Sequence, residues 1–295
     1  MKEEVLNIIV KSYVNYSNHL WHTVINPFGE NNYFTFLILV SLFVWGLEII
    51  FPWRKNQSII RSGFWLDLFY MFFNFYIFNL IIFIALSNTT AHLFSSFMLL
   101  LGLPKNGILD VSFWYPFFQI IIYFIISDFI QWLIHNLLHR VKWLWRFHKI
   151  HHSVTEMGFL AHFRFHFMEN IFYKSSLYIV IGYLFNFNLE HAFFLHVFTI
   201  LIGHLNHSNI SLDYGLLKYV LNNPKMHIWH HAKDLPNRYS SGVNFGISLS
   251  IWDYIFKTSY IPRDGRDISL GFNNIEKFPS RFVSQQLNPF KLKDK

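Results

Sequence analysis

The sequence predicts an all-α, multi-spanning membrane protein, and three observations carry that reading. Charged residues make up 14% of the chain, against about 25% in ordinary soluble domains. Three apolar runs are long enough to cross a bilayer. Histidine, with 17 copies beside 17 Asp and Glu, gathers after those runs. A soluble chain so poor in charge would expose too much apolar surface to stay monomeric.

Residues 1–33 are mixed, with Val5, Ile8, Ile9 and Tyr13 at helical spacing. They read as an amphipathic helix on the membrane surface. Two early acids and the absence of a small-residue cleavage site argue against a signal peptide. The first span is 34–51, interrupted only by Glu48. It reaches about 27 Å at helical rise, close to the ~30 Å hydrocarbon core. Pro52 and a basic loop with Arg54, Lys55 and Arg61 end it. The second span is 64–86, with Asp67 near its start, followed by a loop over 87–112 that contains Gly102, Pro104 and Gly107. The third, 113–134, runs without a break into the histidines. Residues 34–134 thus form the transmembrane part. Segment 171–206 holds two further apolar stretches around Asn186 to His191, read as a helical hairpin or two full spans. Residues 135–262 form a histidine-rich helical cap and 263–295 a polar tail.

Lys and Arg are dense in 53–63 and after Arg140, while the loop at 87–112 has only Lys105. This asymmetry places the cap in the cytoplasm, which is the inner-membrane face if the chain is bacterial. The net charge of +7 does not form a stripe on a polar domain, so nucleic acid is not an expected partner. With no cysteine, disulfides, thiolate nucleophiles and iron–sulfur clusters are excluded.

The chemistry sits in HNLLHRVKWLWRFHKIHH and, much later, NNPKMHIWHHAKD. The first holds His135, His139, His148, His151 and His152; the second holds His227, His230 and His231. Residues three and four apart share a helical face. Each cluster is therefore expected to aim its imidazoles at one point. Eight imidazoles exceed the four ligands of one tetrahedral zinc and suit two metal ions with open positions. Imidazole accepts iron, copper, zinc or nickel, so the ligands define a class of metal. Glu-x-x-His pairs are missing, which argues against a carboxylate-bridged four-helix site. His207 is a candidate ninth ligand. His204, His166 and Asp128 are candidates as ligands or as groups that support ligands; Asp128, seven residues before His135, could hold an imidazole N–H. His162 is read evenly as a substrate-side or packing residue. His19, His22, His92, His191 and His196 read as structural. Trp143, Trp145 and Phe147 read as interface anchors. Asn244, Gly246, Trp252 and Asp253 read as a packed wall beside the last cluster.

With these residues in hand, the chain resembles the fatty acid hydroxylase superfamily, also called the sterol desaturase family. SDFIQWLIHNLLH, LWRFHKIHHS, RFHFMEN, HLNHSN, NPKMHIWHHAKD and NFGISLSIWDYIFKT occur in the family's order across about 110–260. The last stretch is most similar to bacterial members and the alkylglycerol monooxygenase branch. Asn136 stands where the family often has Arg, and Phe167 where it usually has Pro. The resemblance implies an integral membrane oxygenase with two iron ions facing the cytoplasm. It also implies His135, His139, His148, His151, His152, His207, His227, His230 and His231 as ligands. Such an enzyme uses O₂ and electrons from a separate donor protein to hydroxylate or desaturate a fatty-acyl, sterol or ether lipid. Zinc is an expected occupant of purified protein. A histidine-ligated zinc hydrolase acting on lipid is the alternative, followed by a membrane metal transporter. Transporters, however, place ionisable residues inside the spans. A haem carrier needs axial histidines on opposite sides of iron, which one helix turn does not offer.

Overall fold

A computed structural model describes residues 2–102, 109–177, 185 and 192–291. Among them, regular structure is helical, with isolated bridges and no extended strand. The first span is Tyr33–Ile50. Asn32 starts it: its side chain accepts from Thr35 N at 3.1 Å, filling a donor that every helix start leaves open.

The second span starts at Phe64 as expected but continues as one rod, Phe64–Leu100, through the region read as a loop. The polar residues after 86 that suggested a loop form a contact face instead. Asn88 donates to Ser12 Oγ at 2.8 Å, His92 lies 3.3 Å from Glu4, and Tyr13 donates to the Ile81 carbonyl at 2.7 Å. Those partners lie on the N-terminal helix Lys2–Ile25, which packs along the rod instead of resting alone on a surface. Polar side chains on two helices satisfy one another, a pairing that neither segment displays by itself. Between Phe73 and Phe83 the rod is wound as two π-turns, a local widening that often marks functional regions.

The third span, Pro116–Arg140, carries Pro in its first turn, where no N–H is required. Its 25 residues reach about 37 Å. That exceeds the hydrocarbon core, so its last turns, with His135 and His139, rise into the cap. These three rods are long and apolar enough to cross a membrane. Helices Phe167–Leu177 and Ala192–His207 stand where the hairpin was expected. Its turn, including Asn186 and His191, lies outside the described residues.

The acids that interrupt the first two spans are where the spans grip the cap. Glu48 accepts from Phe159 N at 2.9 Å and Asn209 N at 2.7 Å. Asp67 pairs with Arg61 and Arg164 together. All three are buried, so removal of any one would strand charge in a low-dielectric interior. Leu37, Val44, Phe64 and Met71 pack against Phe159, Leu160 and Ile200 above this anchor. A second core, around Met157, Ile228, Trp229 and Val243, underlies the cap. The C-terminal segment does not trail away. Leu270 enters that core, Gly271 N donates to His231 O at 3.0 Å, and Tyr70 donates to Gln285 at 2.8 Å.

Candidate metal centre

Nine buried or half-buried imidazoles converge in two groups. His135, His139, His148, His152 and His230 each present one ring nitrogen within 4.8 Å of the others, and His151, His207, His227 and His231 do the same. The third span brings His135 and His139, and the short helix Lys142–His148 brings His148. A 3₁₀ turn, His151–Ser153, brings His151 and His152, and His207 ends Ala192–His207. The last cluster rides on Pro224–His230, where Asn223 accepts from Met226 N at 2.9 Å and Pro224 opens the turn.

The expectation that each HxxHH box faces one point is corrected. His148 and His152 join the first group while His151 joins the second; His227 and His231 join the second while His230 joins the first. In the second box, at about 100° per residue, His227 and His231 differ by only ~40° while His230 lies ~100° from His231. In the first box the helix ends at His148, and the 3₁₀ turn His151–Ser153 re-aims the next two rings. Each box therefore serves both groups, and the boxes do so in opposite senses.

Within the first group, Nε2 of His135 lies 3.1 Å from that of His148, and His152 Nε2 lies 3.1 Å from both His139 and His230. In the second, His207 Nε2 lies 3.2 Å from His151 and 3.0 Å from His227, and His227 lies 3.2 Å from His231. Metal–nitrogen bonds of ~2.1 Å make ligand edges of about 3.0 Å at right angles and about 3.4 Å in a tetrahedron. These short edges are of the length that nitrogens sharing one metal ion would make, and the two groups would hold such ions through five and four imidazoles.

The opposite ring nitrogens fix the tautomers. His135, His207 and His230 place Nδ1 at 2.7–2.8 Å from the carbonyls of Phe245, Gly203 and Val243. His151 Nδ1 reaches Arg164 O at 3.2 Å. A carbonyl only accepts, so these Nδ1 atoms carry the proton and Nε2 is a lone pair. His151 and His207 therefore point two lone pairs at each other across 3.2 Å. Such an arrangement is repulsive unless a cation lies between them, and this donor set fits a metal ion. His148 is held differently, with Nδ1 2.6 Å from Glu169 Oε2. Burial, reinforced by neighbouring imidazoles, keeps His148, His151, His152, His227, His230 and His231 well below the ordinary histidine range. They are neutral at pH 7 and ready to bind metal without first losing a proton. Phe245 and Trp145 wall the first group, with ring centres 5.2 and 5.0 Å from His139.

Other candidates lie elsewhere. Asp128 does not reach an imidazole: its oxygens accept from Ser248 N, Leu249 N and Trp252 Nε1. That holds the loop whose Phe245 carbonyl takes His135, so it acts one step further out. His166 bonds Gln286 O at 2.7 Å, and His204 bonds Ser41 at 3.0 Å; neither belongs to a group. His162 lies flat against His207, ring centres 5.4 Å apart. Asp253 bonds Trp132, Phe245 N and Gly246 N within the expected wall. Of the expected interface anchors, Trp143 is exposed, but Phe147 is buried against His166. Glu169 was not singled out in sequence. The signal was there: a lone acid in an apolar stretch, three residues after His166.

Residues 120–258 match the fatty acid hydroxylase family. The chain is 32% identical over 180 residues to the ornithine lipid hydroxylase OlsE of Rhizobium tropici, covering 61% of this chain and 53% of that protein. It is 32% identical over 132 residues to the alkylglycerol monooxygenase of Homo sapiens, covering 44% of this chain and 28% of that one. The Xenopus tropicalis alkylglycerol monooxygenase is 29% identical over 143 residues, 46% of this chain and 29% of its own length. The chain thus spans about half the length of the first relative and under a third of the others. No solved structure matches it.

Proposed function

We propose, from the match of residues 120–258 to the fatty acid hydroxylase family, that the chain is a membrane-embedded, O₂-dependent lipid oxidoreductase. Its two imidazole groups hold two iron ions, with His135, His139, His148, His152 and His230 on one and His151, His207, His227 and His231 on the other. The observation that carries the metal reading is the pair of opposed lone pairs on His151 and His207. The five-histidine set exceeds a tetrahedral zinc site, which disfavours the hydrolase alternative. Lipid as substrate is supported by the relatives, an ornithine lipid hydroxylase and an alkylglycerol monooxygenase, and by the apolar spans beneath the cap.

When bound, the iron pair supplies activation of O₂ and attack on an unactivated C–H bond, with electrons from a separate donor protein. The chain's own residues do the rest. The carbonyls of Phe245, Gly203, Val243 and Arg164 hold the rings in register. Phe245 and Trp145 keep water from the imidazoles, and the spans align the lipid chain. The loop with Arg54 packs on the cap through Asn209 and Arg266. Both basic regions therefore share one side, which supports a cytoplasmic centre and, in a bacterium, the inner membrane.

The test is anaerobic loading with ferrous iron, then reaction with membrane lipid under ¹⁸O₂. Label in the lipid product means hydroxylation; an unlabelled alkene means desaturation. Lipid turnover by the zinc form without O₂ would replace this reading with the hydrolase.

A further inference from the structure

One flank of the cap is apolar where a soluble surface would be polar. Leu216 and Leu217 are 84% and 58% exposed, and Val220, Ile255 and Phe256 are exposed beside them. The patch joins the third span: Phe256 stacks on Trp132 with ring centres 4.6 Å apart, one turn before His135. Leu133 and Leu137, on that same span, are exposed as lipid-facing residues are. The flank therefore continues the span's lipid-contacting surface at the level where hydrocarbon gives way to headgroups. Beside this patch, on the same segments, lies a cavity of about 320 Å³, lined among others by Lys218, Lys225, Asn223, Asp213, Tyr254 and Tyr260.

The cavity's chemistry favours an anion. Lys218 has no carboxylate partner among the described residues; its ammonium lies over the Tyr219 ring. Lys225 stands 3.9 Å from Asp213, too far for a hydrogen bond, so its donors remain available. The Asn223 amide Nδ2 is buried with no partner, a donor that a folded chain normally satisfies. We propose that this cavity binds the phosphate-bearing, anionic headgroup of a bilayer lipid, with the apolar rim set among that lipid's acyl chains. Free phosphate would use the lysines but leave the rim uncovered; a lipid uses both. The site is separate from the imidazole groups, and its test does not depend on the proposed reaction.

The full-length, metal-loaded protein is reconstituted into nanodiscs of mixed phosphatidylglycerol and phosphatidylcholine, then released into detergent for native mass spectrometry. Phosphatidylglycerol should stay bound in preference to phosphatidylcholine. Lys218→Ala with Lys225→Ala should lower that retention at least about tenfold, as expected for two interfacial cations. Asn223→Asp keeps the acceptor for Met226 N and adds a negative charge, so it should expel the lipid likewise. Metal per chain and melting temperature report folding, and if one variant fails them the other decides. Equal retention of both lipids overturns the proposal. So does unchanged phosphatidylglycerol retention in a folded variant, or displacement by equimolar inorganic phosphate. Tight binding of a protein partner to this flank in place of lipid would do the same.

Discussion

Among the described residues, Glu169 is the one carboxylate that touches an imidazole of either group: its Oε2 lies 2.6 Å from His148 Nδ1, while its Oε1 accepts from His166 N at 3.1 Å. Burial pushes this acid up to about 8, against a smaller lowering by the His166 N–H. In metal-free protein it is therefore mostly protonated at pH 7. A metal ion on His148 Nε2 would favour the pair with the proton on Nδ1 and the charge on Glu169, an arrangement that strengthens His148 as a donor beyond its carbonyl-held neighbours. Glu169→Gln keeps the shape but cannot take up the negative charge that a metal-bound His148 would favour. Metal affinity at the five-histidine group should fall about 10–100-fold, read by competition with a graded chelator. The four-histidine group should hold its metal. Equal loss at both groups would show a general folding defect, and no loss would remove Glu169 from the site.

Single replacements should separate ligands from neighbours. His152→Ala and His230→Ala each remove a first-group nitrogen and should lower metal toward one ion per chain and abolish lipid oxidation. His92→Ala, paired with Glu4 far along the second rod, should leave both near wild type. His204→Ala should keep both ions, because its ring bonds Ser41 and belongs to neither group. Metal per chain, measured beside product yield, checks each. Full metal and activity in His152→Ala would falsify the assignment of the boxes.

Gly203 gives the most specific packing test. A Cβ there would come within 2.2 Å of the His162 ring, and the Gly203 carbonyl holds His207. Gly203→Ala should cost about 1–3 kcal/mol, the usual range for overpacking, and release the metal of the four-histidine group. Adding His162→Ala opens the space and should restore metal content. If the double variant stays empty, crowding is not the cause.

The metal-free protein should lose stability in mild acid. His148, His151, His152, His227, His230 and His231 are held neutral, with folded-state values below the ordinary 6.5. The unfolded chain then binds more protons once pH drops below 6.5, so stability falls from there downward and is flat above. Melting temperatures of chelator-stripped protein between pH 5 and 8 check this. A flat profile would mean that the rings are hydrated.

The three spans and eight of the convergent histidines were legible because each rests on a local pattern, a long apolar run or imidazoles at helical spacing; His207 joined them as a separate candidate and through the family resemblance. Partners far apart in sequence were not. The 87–100 stretch looked like a loop because its polar residues answer Ser12 and Glu4, some 76 and 88 positions away. Asp128 looked like an imidazole partner because it shares a face with His135, yet three donors from 248–252 claim it. Glu169 was hidden for the same reason: its role exists only once His148 stands beside it. The division of the second box between two groups was readable in principle from about 100° per residue, but that of the first depends on the change from helix to 3₁₀ turn after His148, which spacing does not display.

That reciprocal sharing also governs the order of biogenesis. Neither coordination sphere can close until the helix carrying His227, His230 and His231 has left the ribosome, because each group draws on it. By then the three spans have been synthesised. A nascent chain thus offers no finished half-centre that could take up a redox-active ion while its lipid-facing walls are still missing. On the two-metal reading proposed above, the chain would receive its metals late, with both sites becoming competent in the same step.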